Sequence, residues 1–105
     1  MPAYIVVEAR LSDPKKFLPY TKVVPALVTK YGGEYIAIGG ASEVLEGDWG
    51  DTKIVLHKWP DMQSARNFWN SDEYSEAKKI RAGTGTFRVM LVDGFTRESV
   101  SEQLE

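Results

Sequence analysis

The sequence predicts a small α+β domain with a ferredoxin-like βαββαβ fold, and three observations lead to it. Four segments alternate apolar and polar residues or carry short β-branched runs, which is typical of half-buried strands. Two longer stretches between them place apolar residues three and four apart, as amphipathic helices do. Glycine, proline and capping residues separate the segments. With right-handed connections, this order gives a four-stranded antiparallel sheet of order 4-1-3-2 with the helices on one face.

The first strand is predicted over residues 3–11, where every odd position is apolar. Its other side is mixed, and Tyr4 and Val6 make that side too apolar for free solvent. We therefore expect the second face of the sheet to meet another surface. Glu8 on the same side is expected to face Arg88 of the fourth strand as an ion pair at that interface.

The first helix is predicted to begin at Asp13 and Pro14, a capping residue followed by proline at the first helical position. An apolar stripe continues from there to the glycine pair at 32–33, which ends the helix. Pro19 and Pro25 lie inside this stretch. Because each removes a backbone donor, we expect a kink near the first and a bend near the second.

The second strand is predicted over residues 34–40, and residues 43–46 are expected to continue it past a Gly-Gly bulge. Residues 47–51 have the composition of a turn. The third strand then spans residues 52–59 and ends at Pro60. The short connection favours a hairpin of these two strands.

The second helical stretch is predicted to begin at Asp61 as its N-cap and to break at residues 70–72. Ser71 or Asp72 can cap the further helix that follows the break. A loop over residues 82–85 leads to the fourth strand over residues 86–93.

The 105-residue chain fits one domain, which we assign to residues 1–95. Residues 96–105 form a polar C-terminal tail, either loose or an arm that reaches a partner. The final Leu104-Glu105 pair has the look of a cloning remnant.

Composition narrows the classes of function. The net charge is −2, with 13 basic and 15 acidic residues, so the sequence lacks the excess of basic residues that would bind the phosphates of a nucleic acid. The absence of cysteine excludes disulfide scaffolds, zinc ribbons and thiol nucleophiles, and it favours a reducing compartment. No apolar run approaches the roughly 20 residues of a membrane helix. We therefore expect a cytoplasmic protein without metal or cofactor.

His57 is the only histidine in the sequence, and period two places it on the same side of the third strand as Val55 and Trp59. An imidazole titrates near neutral pH, so His57 is a candidate general acid or base. The alternative is a partly buried polar residue whose ring nitrogens are hydrogen-bonded. Both interpretations stay open from the sequence.

Tyr74 and Arg81 are seven residues apart, so on one helix they share a face about two turns apart. A phenol and a guanidinium on one cleft can hold a carboxylate or an enolate. The alternative is a core tyrosine and a surface arginine.

Trp69 is the tryptophan best placed to line a pocket, because it precedes the helix break at Ser71, where free backbone amides can bind an anion. Trp49 and Ser71 are further candidate ligand contacts. Packing in the core or in an interface is the alternative for each tryptophan.

These candidates combine into one hypothesis: a pocket between the sheet and the second helical stretch, bordered by His57, Trp69, Tyr74 and Arg81. In an enzyme, His57 would be the base, Arg81 and Tyr74 would stabilise the anion, and Trp69 would hold a ring.

Ten short motifs occur together in a familiar order. They are Asp13-Pro14, Tyr31-Gly32-Gly33, Gly39-Gly40, Glu46-Gly47-Asp48-Trp49, Trp59-Pro60, Ala65-Arg66, Trp69, Ser71, Tyr74 and Arg81. The set resembles the domain of unknown function 1330 family, within the dimeric α+β barrel superfamily, over nearly all of residues 3–95.

The resemblance implies a homodimer in which two sheets pair face to face. The superfamily includes cofactor-free monooxygenases, muconolactone-type isomerases, haem-dependent dismutases and members without known activity. Its haem proteins use a helical histidine, whereas His57 lies in a predicted strand. The expectation is a homodimer that binds a small aromatic or anionic metabolite, as a cofactor-independent monooxygenase or isomerase. The alternative is a non-catalytic dimer with a metabolite-sensing or structural role.

Overall fold

The computed structural model describes residues 1–95. The predictions for the tail at 96–105 lie outside the described residues. The elements along the chain are β1 (Ala3–Leu11), α1 (Pro14–Lys30), β2 (Glu34–Ile38), β3 (Lys53–Trp59), α2 (Met62–Trp69), α3 (Asp72–Ile80) and β4 (Gly85–Asp93). This order confirms the predicted βαββαβ pattern, with the second helical stretch divided in two.

The four strands form one antiparallel sheet of order β2-β3-β1-β4, which confirms the predicted topology. The first strand, β1, lies between β3 and β4. Its residue Ile5 is opposite His57 on β3, and Val7 is opposite Val55 on β3 and Val89 on β4. Because side chains alternate between faces, these residues share the side of the sheet that the helices cover.

The hydrophobic core lies between this side of the sheet and the helices. Its largest fully buried side chains include Trp59, at the end of β3, and Phe68, on α2, whose ring centroids are 5.0 Å apart. Val24 and Val28 on α1 are buried against the same cluster. The core is therefore most densely packed at one end of the sheet, near the start of β1.

Helix α1 begins as predicted, with the Asp13 carboxylate accepting a hydrogen bond from the Lys16 amide at 3.1 Å. It continues through both Pro19 and Pro25 as one helix to Lys30. Neither proline ends the helix, because packing of one helix face compensates the backbone hydrogen bonds that proline removes.

Ser71 lies at the break between α2 and α3 and forms hydrogen bonds to both helices. Its hydroxyl accepts a hydrogen bond from the Tyr74 amide at 3.0 Å and donates one to the Phe68 carbonyl at 2.8 Å. Ser71 is thus the N-cap of α3, as predicted. At the other end of this helix, Arg81 occupies the C-cap position.

The predicted strand at residues 43–46 is wrong. Strand β2 ends at Ile38, and Gly39 with φ of +55° turns the chain away from β3. The register shift lies instead between Tyr35 and Ala37, inside β2. Residues 39–52 form a largely exposed connection, because β3 begins at Lys53, two residues beyond the pair of Ile38 and Val55, and so offers a longer β2 almost no partner.

The second face of the sheet carries no helix. Val6 lies between Leu56 and Met90 in register, and Met90 is 62% exposed. Glu8 and Arg88 on this face form the expected ion pair, with Nε and Oε2 3.2 Å apart. Within residues 1–95, no helix has the length and apolar character needed to cross a membrane.

Gly33 should not tolerate a methyl group. A β-carbon built there lies 2.7 Å from the Trp59 ring, which is fully buried. We expect Gly33→Ala to lower the free energy of unfolding by about 1–3 kcal/mol through overpacking. Urea unfolding followed by fluorescence measures this loss.

Gly40→Ala is the matched control, because a β-carbon there meets nothing within 4 Å. Neither glycine has a positive φ, so the comparison measures the steric effect of the added methyl group without backbone strain. Equal stability of the two variants would contradict the tight packing of Gly33 on Trp59.

Candidate functional site

A cavity of about 250 Å³ lies between the helix-covered side of the sheet and the three helices. Its floor includes Val7, Val55 and Val89, one from each of three neighbouring strands. The exposed lining residues Thr21 and Pro25, on α1, mark an opening toward the edge strand β2. Most of the wall is apolar, as in sites for small organic ligands.

Four of the candidate residues line this cavity together: His57, Trp69, Tyr74 and Arg81. Period two turns His57 on β3 toward the helices, and helical periodicity turns Tyr74 and Arg81 toward the sheet. The structure therefore brings these side chains to one void. Their functional roles remain predictions.

Arg81 is the only charged residue in the cavity wall formed by residues 1–95, and it is only 8% exposed. Its guanidinium carbon lies 4.1 Å from the ring centroid of Phe87 and 5.6 Å from that of Tyr20. Within the described part of the chain, its guanidinium has no carboxylate partner and makes no side-chain hydrogen bond. Within residues 1–95 the cation thus contacts aromatic faces and no opposite charge.

His57 is 6% exposed, and its Nδ1 atom has no hydrogen-bond partner within residues 1–95. Burial lowers the pKa of His57 to about 4, because desolvation disfavours the imidazolium. The ring meets Tyr35 nearly edge-on, with centroids 4.7 Å apart. At neutral pH the site therefore contains an uncharged imidazole with free hydrogen-bonding capacity.

Tyr20 and Tyr74 join α1 to α3 across the cavity, with their hydroxyl oxygens 2.8 Å apart. Burial, followed by the proximity of Tyr74, raises the pKa of Tyr20 well above its ordinary value. Burial likewise raises the pKa of Tyr35 to about 12. Tyr20 and Tyr35 are therefore neutral hydrogen-bonding groups over the physiological range.

Sequence reasoning assigned Tyr20 only to the apolar stripe of the first helix and gave no role to Tyr35. The available signal was the hydroxyl itself, since a buried tyrosine needs a polar partner that phenylalanine does not.

Trp69 contributes one part of the wall and packs on Tyr74, with ring centroids 5.1 Å apart. The Lys78 ammonium lies 4.7 Å from the centre of the Trp69 ring. The indole therefore separates the cavity from a surface cation.

Trp49 and Ser71 are not brought to the cavity. Trp49 lies in the connection between β2 and β3, beside Arg10 of the uncovered sheet face; the Arg10 guanidinium donates to its carbonyl at 3.3 Å. The Ser71 amide donates to the Phe68 carbonyl at 3.2 Å, so it is not free to bind an anion. Across residues 1–95, no group of three or more His, Cys, Asp or Glu side chains could hold a metal ion.

The sheet, its helices and the cavity between them define a ferredoxin-like α+β protein with a small-molecule-sized internal site. The sequence model of the family described as "Domain of unknown function (DUF1330)" matches residues 2–95. The chain belongs to this family, which confirms the resemblance seen in its motifs. Among curated proteins, none matches this chain.

Solved structures share the fold at low sequence identity. A protein of unknown function from Rhodopseudomonas palustris is 16% identical, with a TM-score of 0.70 over 90% of this chain and 83% of that one. SnoaB, a cofactor-independent oxygenase from Streptomyces nogalater, is 11% identical, with a TM-score of 0.66 over 90% and 94%. A dimeric protein of unknown function with a ferredoxin-like fold, from Bacteroides fragilis, is 16% identical, with a TM-score of 0.54 over 89% and 96%.

The buried histidine should make stability depend on pH. The folded-state pKa of about 4 lies below the ordinary value of 6.5, so the unfolded chain binds more protons between these limits. The stability present above pH 6.5 is therefore lost as pH falls toward 4. We expect a loss of about 3 kcal/mol across this window.

Urea unfolding of the native sequence and of His57→Gln between pH 7.5 and 4 tests this expectation. The difference between the two curves isolates His57 from the carboxylates, which titrate in both proteins. Parallel curves would show that His57 is not held neutral by burial.

Proposed function

We propose that this protein is a homodimer that binds a small organic anion in its internal cavity, with the anionic group on Arg81. The observation that supports this most directly is Arg81 itself: the residue is only 8% exposed, its side chain lines the cavity, and it has no counterion among residues 1–95. A buried charge is unfavourable unless it is paired, and arginine matches the two oxygens of a carboxylate with two parallel hydrogen bonds. A bound organic anion supplies that pairing.

The apolar wall of the cavity indicates the chemistry of the ligand beyond its anionic group. Phe17, Phe68 and Phe87 all line the cavity, and Phe17 stacks on Phe87 with ring centroids 5.7 Å apart. Such walls favour an aromatic or otherwise flat hydrocarbon body. The anion therefore carries an apolar part that fills the cavity.

A second candidate is catalysis without a cofactor, which the uncharged His57 in the same cavity favours. His57 would take a proton from an acidic carbon or hydroxyl, leaving the electron pair on the substrate as an enolate. Arg81 and Tyr74 would stabilise that anion. Return of the proton to another carbon would complete an isomerisation.

The fold similarity to SnoaB extends this candidate to oxygenation, with dioxygen as co-substrate. One oxygen atom would enter the product, and the other would leave as water with two hydrogens from the substrate. A pKa of about 4 makes His57 a weak base, however, so binding is the function that the site supports first. A non-catalytic sensor would use the same contacts without proton transfer.

The uncovered sheet face supports the homodimer. Val6, Leu56 and Met90 lie side by side there, and an exposed apolar area on a sheet face favours a second surface. A second copy of the chain offers the same face for pairing by two-fold symmetry. The dimeric Bacteroides fragilis protein with this fold agrees with such an arrangement.

Replacing Arg81 tests the proposed binding. Arg81→Met keeps the packing on Phe87 but removes the charge, so benzoate should bind at least tenfold more weakly, from loss of charge-assisted hydrogen bonds of about 1.5–3 kcal/mol. The melting temperature of the unliganded protein should not fall, because an unpaired buried charge has been removed. Isothermal titration calorimetry and thermal unfolding measure the two effects.

Arg66→Met is the control, since Arg66 is an exposed arginine on α2 outside the cavity wall. Equal benzoate affinity in both variants would contradict a role for Arg81 in anion binding.

The dimer is tested by light scattering. The native protein should have about twice the 11.8 kDa chain mass at micromolar concentration. Met90→Glu places a charge on the uncovered sheet face and should give monomers. Leu18→Glu changes another exposed apolar residue, on α1, and should leave the mass unchanged. A native monomer, or equal effects of both substitutions, would contradict sheet-to-sheet pairing.

A further inference from the structure

The charge of the cavity limits the charge of its ligand. Arg81 contributes a single positive charge, while His57 and the phenols of Tyr20 and Tyr35 are neutral at pH 7. A monoanion neutralises this site. A dianion would leave one negative charge unpaired against apolar side chains, which is strongly unfavourable. The site therefore selects a single negative charge.

The size of the cavity limits the size of its ligand. An apolar protein cavity of about 150 Å³ holds one benzene molecule. By the same ratio, the 250 Å³ here suits a ligand of about ten non-hydrogen atoms. A benzene ring with a carboxylate and one more small polar substituent has this size. A fused bicyclic acid is too large without movement of the wall.

The hydrogen-bonding groups define that second substituent. The hydroxyls of Tyr20 and Tyr74 carry two protons, and one of these is used in their mutual hydrogen bond. The other proton remains available, so a ligand can accept a hydrogen bond from it as well as from the Arg81 guanidinium. Nδ1 of His57 is fully buried without a partner, so Nε2 is the ring nitrogen open to a ligand. Nε2 donates or accepts according to the tautomer, and no side-chain hydrogen bond to it is formed within residues 1–95. A hydroxyl group both donates and accepts, so it can pair with His57 in either tautomer.

Strand register separates the two polar positions along the cavity. Arg81 stacks over Phe87, which is opposite Ala9 on β1, whereas His57 is opposite Ile5. These positions are four residues apart on the strand, or about 13 Å along its axis. A ligand that reaches both ends must carry its polar groups on opposite sides of a ring.

From these constraints we infer that the cavity binds a monocyclic aromatic monoanion with a neutral hydroxyl para to its carboxylate. The carboxylate pairs with Arg81, the ring lies over the valines of the floor, and the hydroxyl bonds to His57. This inference rests on the proposed binding of an organic anion and adds the ligand's charge, size and second polar group.

Four single-ring probes, three of them para-substituted, test it by titration calorimetry at pH 7. They are 4-hydroxybenzoate, benzoate, 4-hydroxybenzamide and terephthalate. We expect 4-hydroxybenzoate to bind at least tenfold more tightly than benzoate, which lacks the hydroxyl, and than 4-hydroxybenzamide, which lacks the charge. Terephthalate should bind more weakly than benzoate, because its second carboxylate meets a neutral imidazole.

His57→Leu should reduce the ratio of 4-hydroxybenzoate to benzoate affinity to about one, whereas Arg66→Met should keep the native ratio. If His57→Leu does not fold, the ranking of the four probes on the native protein is by itself the test of the inference.

The outcomes separate this inference from the proposed function. Benzoate binding that depends on Arg81, without a gain from the hydroxyl or with terephthalate binding equally well, would overturn the inference and leave anion binding standing. Failure of both benzoate and 4-hydroxybenzoate to bind would overturn both.

Discussion

Burial of the Arg81 guanidinium beside an open cavity is the constraint around which the interior is arranged. Its contacts within residues 1–95 are the faces of Phe87 and Tyr20, which give some cation–π stabilisation but supply no opposite charge. The cavity beside it leaves about 250 Å³ without protein atoms, so its apolar lining lacks packing contacts that a bound ligand would supply. A ligand of the proposed kind would fill the cavity and pair with the charge of Arg81.

Aromatic contacts keep the helices from collapsing onto the sheet. Phe17 and Phe87 connect the start of α1 to β4, and the hydroxyl pair of Tyr20 and Tyr74 holds α1 beside α3. At the other end, the core built on Trp59 is closely packed, to the point that Gly33 has no room for a β-carbon. The same fold thus combines a dense end that supplies stability with an open end that supplies the site.

The sequence predicted the fold well because its local signals agree with one another. Asp13 and Ser71 cap the helices that follow them, and the period of two in β1 and β4 matches the two faces of the sheet. The turn over residues 47–51 was predicted, but the end of β2 at Ile38 was not, because a glycine pair can mark either a bulge or the end of a strand. The point at which the partner strand β3 begins decides between them.

The candidate site was predictable where periodicity fixes direction. Period two placed His57 on the helix side, and a spacing of seven placed Tyr74 and Arg81 on one face. Trp49 lies outside the cavity, in the connection between β2 and β3, where no period determines its direction. The sequence could not predict that Arg81 is buried and lacks a carboxylate partner among residues 1–95. Both properties depend on the tertiary fold, which determines the residues around Arg81.

The most direct test is a crystal structure of the protein with 4-hydroxybenzoate. The account predicts density for one ring between α1 and the sheet, with the carboxylate on the Arg81 guanidinium and the hydroxyl within hydrogen-bonding distance of His57. A cavity filled by rearranged protein side chains, with the probe absent or bound on the uncovered sheet face, would contradict it.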